Sequence, residues 1–113
     1  MGSVSYIRGN MQPILDANDF NASDGKFIAV KFWATWCGPC KQMHPSMLKL
    51  EEEFPDVKFV SVEIEQAPEI VQRFKVKSLP SVVLLKDGEE VKRINGMTLI
   101  EPMRKVFREL LAA

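Results

Sequence analysis

The sequence has few cysteines, no long apolar run and no excess of charge, and each shortage excludes a class of protein. Only two of its 113 residues are cysteines, too few for a secreted scaffold held by several disulfides. No apolar run reaches the roughly 18 residues of a membrane-spanning helix, and no charged-then-apolar signal pattern opens the chain. The chain has 15 lysine and arginine residues and 15 aspartate and glutamate residues. It therefore has no excess of positive charge with which to bind nucleic acid or an anionic membrane. We therefore expect a cytoplasmic protein with neither nucleic acid nor membrane as a partner.

What the sequence does contain is the composition of a folded domain. Apolar residues make up 46% of the chain and charged residues 27%, a globular balance. The length suits one domain with a real hydrophobic core, and no repeat, low-complexity tract or linker interrupts it. We predict a single domain over residues 1–113 that acts as a monomer, with residues 1–3 equally consistent with a cloning remnant.

The first half of the chain is predicted to alternate strands and helices. Residues 4–7 have the pattern of a short strand, and an N-cap asparagine opens a helical pattern over residues 10–20. The nearly continuous apolar run over residues 27–34 is typical of a central strand covered on both faces. Apolar residues at helical spacing predict a helix over residues 42–54, with the acidic run 51–53 on its solvated side.

The second half continues this alternation and then ends in a hairpin and a last helix. The dipeptide Asp87-Gly88 is a strong hairpin signal between two strand patterns. The remaining elements are predicted as strands 58–64, 81–86 and 89–94 and helices 68–74 and 98–111. The resulting order, β-α-β-α-β-α-β-β-α, predicts an α/β fold in which a mixed sheet is flanked by helices.

The two cysteines are separated by two residues, where the strand pattern gives way to a helical one. Cys37 would then stand at a helix N-terminus, where unpaired N–H groups and the positive end of the dipole favour a thiolate. Cys40 follows one helical turn later, close enough to Cys37 to form a disulfide, and more enclosed. This arrangement predicts a dithiol in which Cys37 attacks a partner's disulfide and Cys40 resolves the mixed intermediate.

Three other interpretations of the cysteines stay open. They could be buried structural residues, although Gly38-Pro39 between them and Trp36 before them argue against it. Together with His44 they could hold zinc, but a closed zinc site needs about four Cys or His ligands and the chain has no others. An iron–sulfur cluster bridging two subunits is also conceivable. We interpret His44, the single histidine, as a surface residue rather than a general base.

Residues 36–41, Trp-Cys-Gly-Pro-Cys-Lys, resemble the active site of thioredoxins. Residues 32–35 and 78–81 resemble the flanking and cis-proline segments of that family, and the likeness runs from about residue 4 to residue 111. The resemblance implies the thioredoxin fold, a central mixed five-stranded sheet flanked by four helices. It also implies a protein disulfide reductase with a reversible Cys37–Cys40 disulfide, no metal and no tightly bound cofactor. NADPH would be used indirectly, through thioredoxin reductase as the partner that restores the dithiol.

The resemblance also implies a groove that holds an extended segment of a protein substrate. In that family the proline matching Pro80 is cis and lies against the disulfide, and the residue before it, here Leu79, offers its backbone to the substrate. The residues expected to bind substrate are Trp36, Gly38, Pro39, Leu79, Pro80, Gly96 and Met97. Without the resemblance, Pro80 could be an ordinary proline at a strand start, Trp36 a core aromatic and Gly96 only a turn glycine.

Lys31 departs from the family pattern, because thioredoxins usually carry a buried aspartate here, faced by a lysine where this chain has Ser61. A buried lysine is costly unless it is paired or neutral. If Lys31 is charged near the sulfurs, it lowers the thiol pKa and makes the disulfide a stronger oxidant. If its long stem carries the ammonium out to water, it does little. Glu63 and Glu65 are further candidates for proton transfer to Cys40.

Two rival functions remain at the level of the sequence. The missing aspartate and residues 62–69 resemble the N-terminal thioredoxin-like domain of multidomain monothiol glutaredoxins, which handle iron–sulfur clusters through a separate domain. The chain would then be a docking domain rather than an enzyme. An oxidase or isomerase of an oxidising compartment is a weaker alternative, disfavoured by Gly-Pro between the cysteines.

Overall fold

A computed structural model describes residues 9–112 as five strands, three α-helices and one short 3-10 helix. The strands are β1 (Gln12–Ile14), β2 (Phe27–Trp33), β3 (Val57–Glu63), β4 (Ser81–Lys86) and β5 (Glu89–Asn95). The helices are α1 (Gly38–Glu53), α2 (Pro68–Arg73) and α3 (Ile100–Ala112), and the 3-10 helix is Ala17–Asp19. None of the helices in this described range is long and apolar enough to cross a membrane.

The sheet is mixed, with strand order β1-β3-β2-β4-β5 and the apolar strand β2 at its centre. β2 pairs in parallel with β3, which in turn pairs in parallel with β1. On its other side β2 pairs antiparallel with β4, and β4 pairs antiparallel with β5 across the turn at Asp87-Gly88. The predicted five-stranded mixed sheet is therefore confirmed. Because β2 has neighbouring strands on both sides and helices on both faces, its residues are apolar except for Lys31.

The predicted helix over residues 10–20 is wrong, and it accounts for the difference between four expected helices and three observed. Residues 12–14 instead form the edge strand β1, in register with residues 60–62 of β3. Pro13 lacks a backbone N–H, and an edge strand tolerates that loss better than a helix interior does. The 3-10 helix that follows is capped by Asp16, whose carboxylate accepts the Asn18 N–H at 2.8 Å. The strand predicted at residues 4–7 lies outside the described residues.

Alternate side chains of β2 and β3 divide the core into two layers. One layer packs under α1 and α3, with Phe59 of β3 stacked on Phe107 of α3 at a ring-centroid distance of 5.3 Å. The other packs under α2, with Val30 and Phe32 of β2 among its members. Each fully buried large apolar side chain contributes about 1.5–3 kcal/mol to stability. The two layers hold the carboxyl end of β2 rigidly, and the cysteines follow directly from that end.

Glu51, expected on the solvated side of the long helix, is instead fully buried. Its carboxylate accepts the backbone N–H of Met11 at 3.2 Å, across 40 residues of sequence. A buried carboxylate requires such partners because desolvation penalises an unpaired charge. Glu51 therefore ties the last turn of α1 to the segment that leads into β1, and only Glu52 and Glu53 lie on the exposed side.

Candidate active site

The two cysteines lie where β2 ends and α1 begins. The Cys37 N–H donates to the Ala34 carbonyl at 3.1 Å, which turns the chain, and Cys37 then serves as the N-cap of α1. Its Sγ accepts the Cys40 backbone N–H at 3.2 Å. Cys37 and Cys40 are joined by a disulfide, with their Cα atoms 5.3 Å apart. The expected position of Cys37 at a helix N-terminus is therefore observed, and its sulfur lies where that terminus stabilises negative charge.

The two sulfurs are reached from different sides. Cys37 lines an open groove, whereas Cys40 lines a separate small cavity beneath the disulfide and only 1% of its surface is exposed. Both cysteines pack with Ala34, Trp33 and Leu79 in one apolar cluster. Cys37, which is 5% exposed, is therefore reached through the groove, whereas Cys40 is almost fully covered.

The groove beside Cys37 runs between the start of α1 and the segment joining α2 to β4. Its walls are formed by Trp36, Cys37, Gly38, Pro39, Ile64, Val71, Val76, Lys77, Ser78 and Leu79. The Leu79–Pro80 peptide is cis, as the resemblance implies. The predicted substrate-binding residues Trp36, Gly38, Pro39 and Leu79 are thus brought together along one surface. The sequence interpretation missed Val71 and Val76, because apolar residues in a short helix and its exit are ordinarily assigned to the core.

Three of the predicted substrate-binding residues, Pro80, Gly96 and Met97, do not line the groove itself. Pro80 is buried, and its carbonyl accepts the Gly96 N–H at 2.7 Å, so Gly96 lies beside it without lining the groove. Gly96 has φ +81°, a left-handed conformation that favours glycine. Met97 is exposed but is not one of the groove's lining residues. Trp36 is 66% exposed, so the interpretation of Trp36 as a core aromatic is wrong.

Lys31 is 97% buried on the α1 face of the sheet, since only 3% of its surface is exposed. Its Nζ donates to the Cys40 carbonyl oxygen at 2.9 Å, and Ser61 lies beside it in register on β3. Of the two arrangements considered for Lys31, the structure shows the buried one near the cysteines rather than the one in which the long stem carries the ammonium out to water. Burial lowers the pKa of Lys31 to about 8 because desolvation disfavours the charged amine. A titratable amine thus lies against the backbone of Cys40.

His44 stands at the edge of the cavity behind Cys40, together with Lys41. It is exposed, in agreement with its interpretation as a surface residue. Its pKa is lowered chiefly by desolvation, further by the charge of Lys31, and raised in part by Glu51. Among residues 9–112, no group of three or more His, Cys, Asp or Glu side chains is placed to hold a metal ion.

Glu63 and Glu65, the other candidates for proton transfer, differ in burial. Glu63 is buried beside Trp33 in the sheet register, and its Oε1 accepts the Glu65 N–H at 3.2 Å. Its Oε2 is buried and makes no hydrogen bond within the described part of the chain. Glu65 itself is exposed. A role for Glu63 in proton transfer stays a prediction.

Comparison with known proteins places this geometry in a family context. The family model described as "Thioredoxin" matches residues 14–109, most of the chain. A "Thioredoxin H-type" of Fagopyrum esculentum is 39% identical over 82 residues, covering 73% of this chain and 71% of that protein. "Thioredoxin-3, mitochondrial" of Saccharomyces cerevisiae is 42% identical over 69 residues, covering 61% of this chain and 54% of its own length. The chain spans about half the length of some of the curated relatives it matches.

A solved structure extends the likeness to the fold. The crystal structure of mitochondrial thioredoxin 3 from Saccharomyces cerevisiae in its oxidised form superposes with a TM-score of 0.81 at 31% identity. The superposition covers 88% of this chain and 94% of that chain. The similarity therefore extends over most of the fold.

Proposed function

The chain belongs to the thioredoxin family and is a thiol–disulfide oxidoreductase, and on that premise we propose that it is a protein disulfide reductase acting through Cys37 and Cys40. The observation that carries the proposal is the asymmetric access to the disulfide. Cys37 lines an open groove and is 5% exposed, whereas Cys40 lines a separate cavity and is 1% exposed. An enzyme that reduces a macromolecular disulfide needs one accessible nucleophile and one protected resolving thiol.

The first step is attack by the Cys37 thiolate on one sulfur of a substrate disulfide. The Cys37–substrate S–S bond forms as the substrate's own S–S bond breaks, and the leaving sulfur takes up a proton. Cys40 then loses its proton and attacks Cys37 Sγ, which releases the second substrate thiol. The substrate gains two electrons and two protons, and the dithiol becomes the Cys37–Cys40 disulfide. Thioredoxin reductase, using NADPH, would restore the dithiol without a cofactor bound to this chain.

Substrate binding is assigned to the groove. The backbone of Leu79, next to cis Pro80, would pair with an extended substrate segment, a mode of binding with little side-chain preference. Trp36, Gly38 and Pro39 would cover the attacked sulfur on the opposite wall. Gly96 and Met97 would extend the contact beyond Pro80, since Gly96 is hydrogen-bonded to it.

Lys31 is assigned to the control of the thiol pKa. Its amine lies 2.9 Å from the Cys40 carbonyl, so when protonated it places positive charge behind both sulfurs. Positive charge stabilises a thiolate and therefore favours the reduced dithiol. The alternative function, a docking domain of a multidomain monothiol glutaredoxin concerned with iron–sulfur chemistry, is favoured by the same residue, because the family's usual buried aspartate is absent.

The deciding experiment is reduction of insulin disulfides coupled to NADPH oxidation. One arm contains thioredoxin reductase, and a parallel arm contains glutathione with glutathione reductase. We expect robust turnover with thioredoxin reductase. Little turnover in either arm, from a protein whose disulfide still forms and reduces chemically, would overturn the reductase assignment in favour of the docking domain. We propose the cytoplasm as the compartment, because it keeps such a dithiol reduced, and fractionation of cells that produce the protein would test this.

A further inference from the structure

A cluster of positive charge lies beside the groove in a chain whose charges balance overall. The segment from the end of α2 carries Arg73, Lys75 and Lys77 at alternate positions with no acidic residue among them. With Arg93 of β5 they line a surface pocket, called here the basic pocket. Lys77 also lines the groove next to Cys37, where it is the one charged side chain among the lining residues, and Ser78 likewise belongs to both surfaces. The groove and the basic pocket are therefore continuous.

The positive charge of the basic pocket is not neutralised by its surroundings. The one carboxylate lining it, Glu90, has both oxygens occupied by Arg93, each at 2.7 Å. Arg73, Lys75 and Lys77 make no ion pair with any residue in the described range 9–112. The guanidinium of Arg73 lies over the rings of Phe20 and Phe74, at 5.6 and 5.2 Å from their centroids. Lys75 and Lys77 are therefore the two cations most available to a bound molecule.

The backbone holds these cations in place. Arg93 Nη2 donates to the Phe74 carbonyl at 2.6 Å, which fastens the end of α2 to β5. Lys75 follows in a left-handed conformation with φ +53°, and its N–H donates to the Gln72 carbonyl at 3.1 Å. Because the turn is already ordered, a partner that binds it does not bear the entropic cost of ordering it.

We propose that the basic pocket selects substrates whose chain carries acidic residues beside the reactive disulfide, an inference that rests on the proposed function. A segment seated along Leu79 that continues past Ser78 meets Lys77 first and then Lys75 and Arg73. Aspartate or glutamate side chains there gain charge-assisted contacts that a neutral or basic segment lacks. Charges at the rim of an interface act mainly on the rate of encounter, so the preference should weaken with salt.

The test uses three synthetic peptides that contain the same disulfide and differ only in flanking residues, which are acidic, neutral or basic. Chemically reduced protein is mixed with each peptide in a single turnover, quenched with acid, and the products are resolved by mass. We expect the second-order rate constant for the acidic peptide to exceed that for the basic peptide roughly tenfold at low ionic strength. The ratio should fall toward one in about 0.5 M salt, where the Debye length is only a few ångströms.

The double variant Lys75→Glu, Lys77→Glu should reverse the order of the acidic and basic peptides. The matched control, Lys49→Glu with Lys105→Glu, changes two exposed lysines on α1 and α3 and gives the same net charge. The control should keep the wild-type preference. A third variant, Lys75→Gln with Lys77→Gln, should abolish the preference without introducing repulsion. Hydroxyethyl disulfide, which is uncharged, measures the intrinsic reactivity of Cys37 in each protein, and every peptide rate constant is divided by it before the proteins are compared.

The outcomes separate this inference from the proposed function. If the wild-type protein reduces all three peptides at one rate, the inference is wrong while the reductase assignment stands. If the control variant loses the preference as fully as the Lys75 and Lys77 variant does, net charge rather than the pocket sets selectivity, and the inference is again wrong. If no peptide disulfide is reduced although the uncharged small disulfide is, the proposed reductase function fails first.

Discussion

The two sides of the Cys37–Cys40 disulfide form a direct comparison, because one covalent bond faces two different environments. On the Cys37 side lies an open groove with exposed Trp36, largely apolar walls and the cation Lys77. On the Cys40 side lies a small cavity in which Lys31 is buried against the Cys40 carbonyl. The two side chains have the same chemical structure, since both residues are cysteines. Under the proposed function, the fold around them assigns attack to Cys37 and resolution to Cys40.

Replacing one cysteine at a time by serine tests the difference between the two sides most strongly. Cys37→Ser should lower disulfide reduction by roughly a thousandfold or more, since no nucleophile then faces the groove. Cys40→Ser should still attack but should accumulate a mixed disulfide with the substrate. Mass spectrometry under non-reducing conditions distinguishes the two products. If Cys37→Ser still reduces disulfides, the assignment of the nucleophile is wrong.

The cavity side should reveal itself in the pH dependence of stability. Burial lowers the pKa of Lys31 from 10.5 to about 8, so the folded protein gives up this proton at lower pH than the unfolded chain does. Folding is therefore penalised by up to about 3 kcal/mol below pH 8, and the penalty disappears as pH rises from about 8 to 10.5. Lys31→Met removes the titrating group, so its stability advantage over the wild type should shrink across this window.

Urea unfolding of the two oxidised proteins, at pH values from about 7 to 10, measures that advantage. The difference between the proteins cancels the titration of all other lysines. Stability curves that stay parallel across the range would mean that Lys31 titrates normally in the folded protein.

The charge of Lys31 should also affect the sulfur on the groove side. Replacing it by aspartate exchanges a positive for a negative charge behind the disulfide, so the pKa of Cys37 in the reduced protein should rise by about one unit. Ultraviolet absorbance of the thiolate during a pH titration measures this pKa. Lys49→Asp, the same change at an exposed position on α1, serves as the control. Identical titrations of Lys31→Asp and wild type would exclude an electrostatic link between the cavity and the groove.

The smallest expected effects concern one exposed residue on each side. Trp36→Ala should lower kcat/KM for a protein disulfide roughly threefold to tenfold, because it removes an apolar contact surface from the groove. Its rate with an uncharged small disulfide should hardly change, since such a molecule needs no groove.

His44→Gln, at the edge of the cavity, should leave the rates with the protein disulfide and with the small disulfide within about a factor of two, because we interpret His44 as a surface residue rather than a general base. A larger loss with His44→Gln would restore the general-base interpretation.

The residue patterns predicted strands β2 to β5 and the disulfide-forming pair Cys37 and Cys40. They failed at residues 12–14, where β1 replaces a predicted helix, and at Glu51, which is buried rather than solvated. The apolar run of β2 and the turn at Asp87-Gly88 are local signals, and both were interpreted correctly. Residues 12–14 carry no strong strand signal, because a short edge strand is stabilised by its partner β3 rather than by its own side chains. Glu51 could not be predicted as buried, since its partner Met11 lies 40 residues away.

The candidate site, like the fold, was predictable from the sequence only in part. The spacing of Cys37 and Cys40 identifies them as a candidate dithiol, and Lys31 stands out because it departs from the family pattern. The contact of Lys31 with the Cys40 carbonyl depends on the packing of α1 over β2, which no local pattern encodes. The basic pocket likewise depends on Arg93, which reaches across from β5 to fasten the turn that carries Lys75.

The hydrogen bond from the Cys40 amide to Cys37 Sγ supplies the protein with an internal spectroscopic probe. The thiolate of Cys37 is charged, whereas its disulfide with Cys40 and its mixed disulfide with a substrate are neutral and differ in the group bonded to the sulfur, so the amide proton meets a different acceptor in each state. The amide resonance of Cys40, observed in an ¹⁵N-labelled sample, should therefore take a separate position for each state. The chemical state of Cys37 could then be followed during a reaction without a dye, a tag or any change to the sequence.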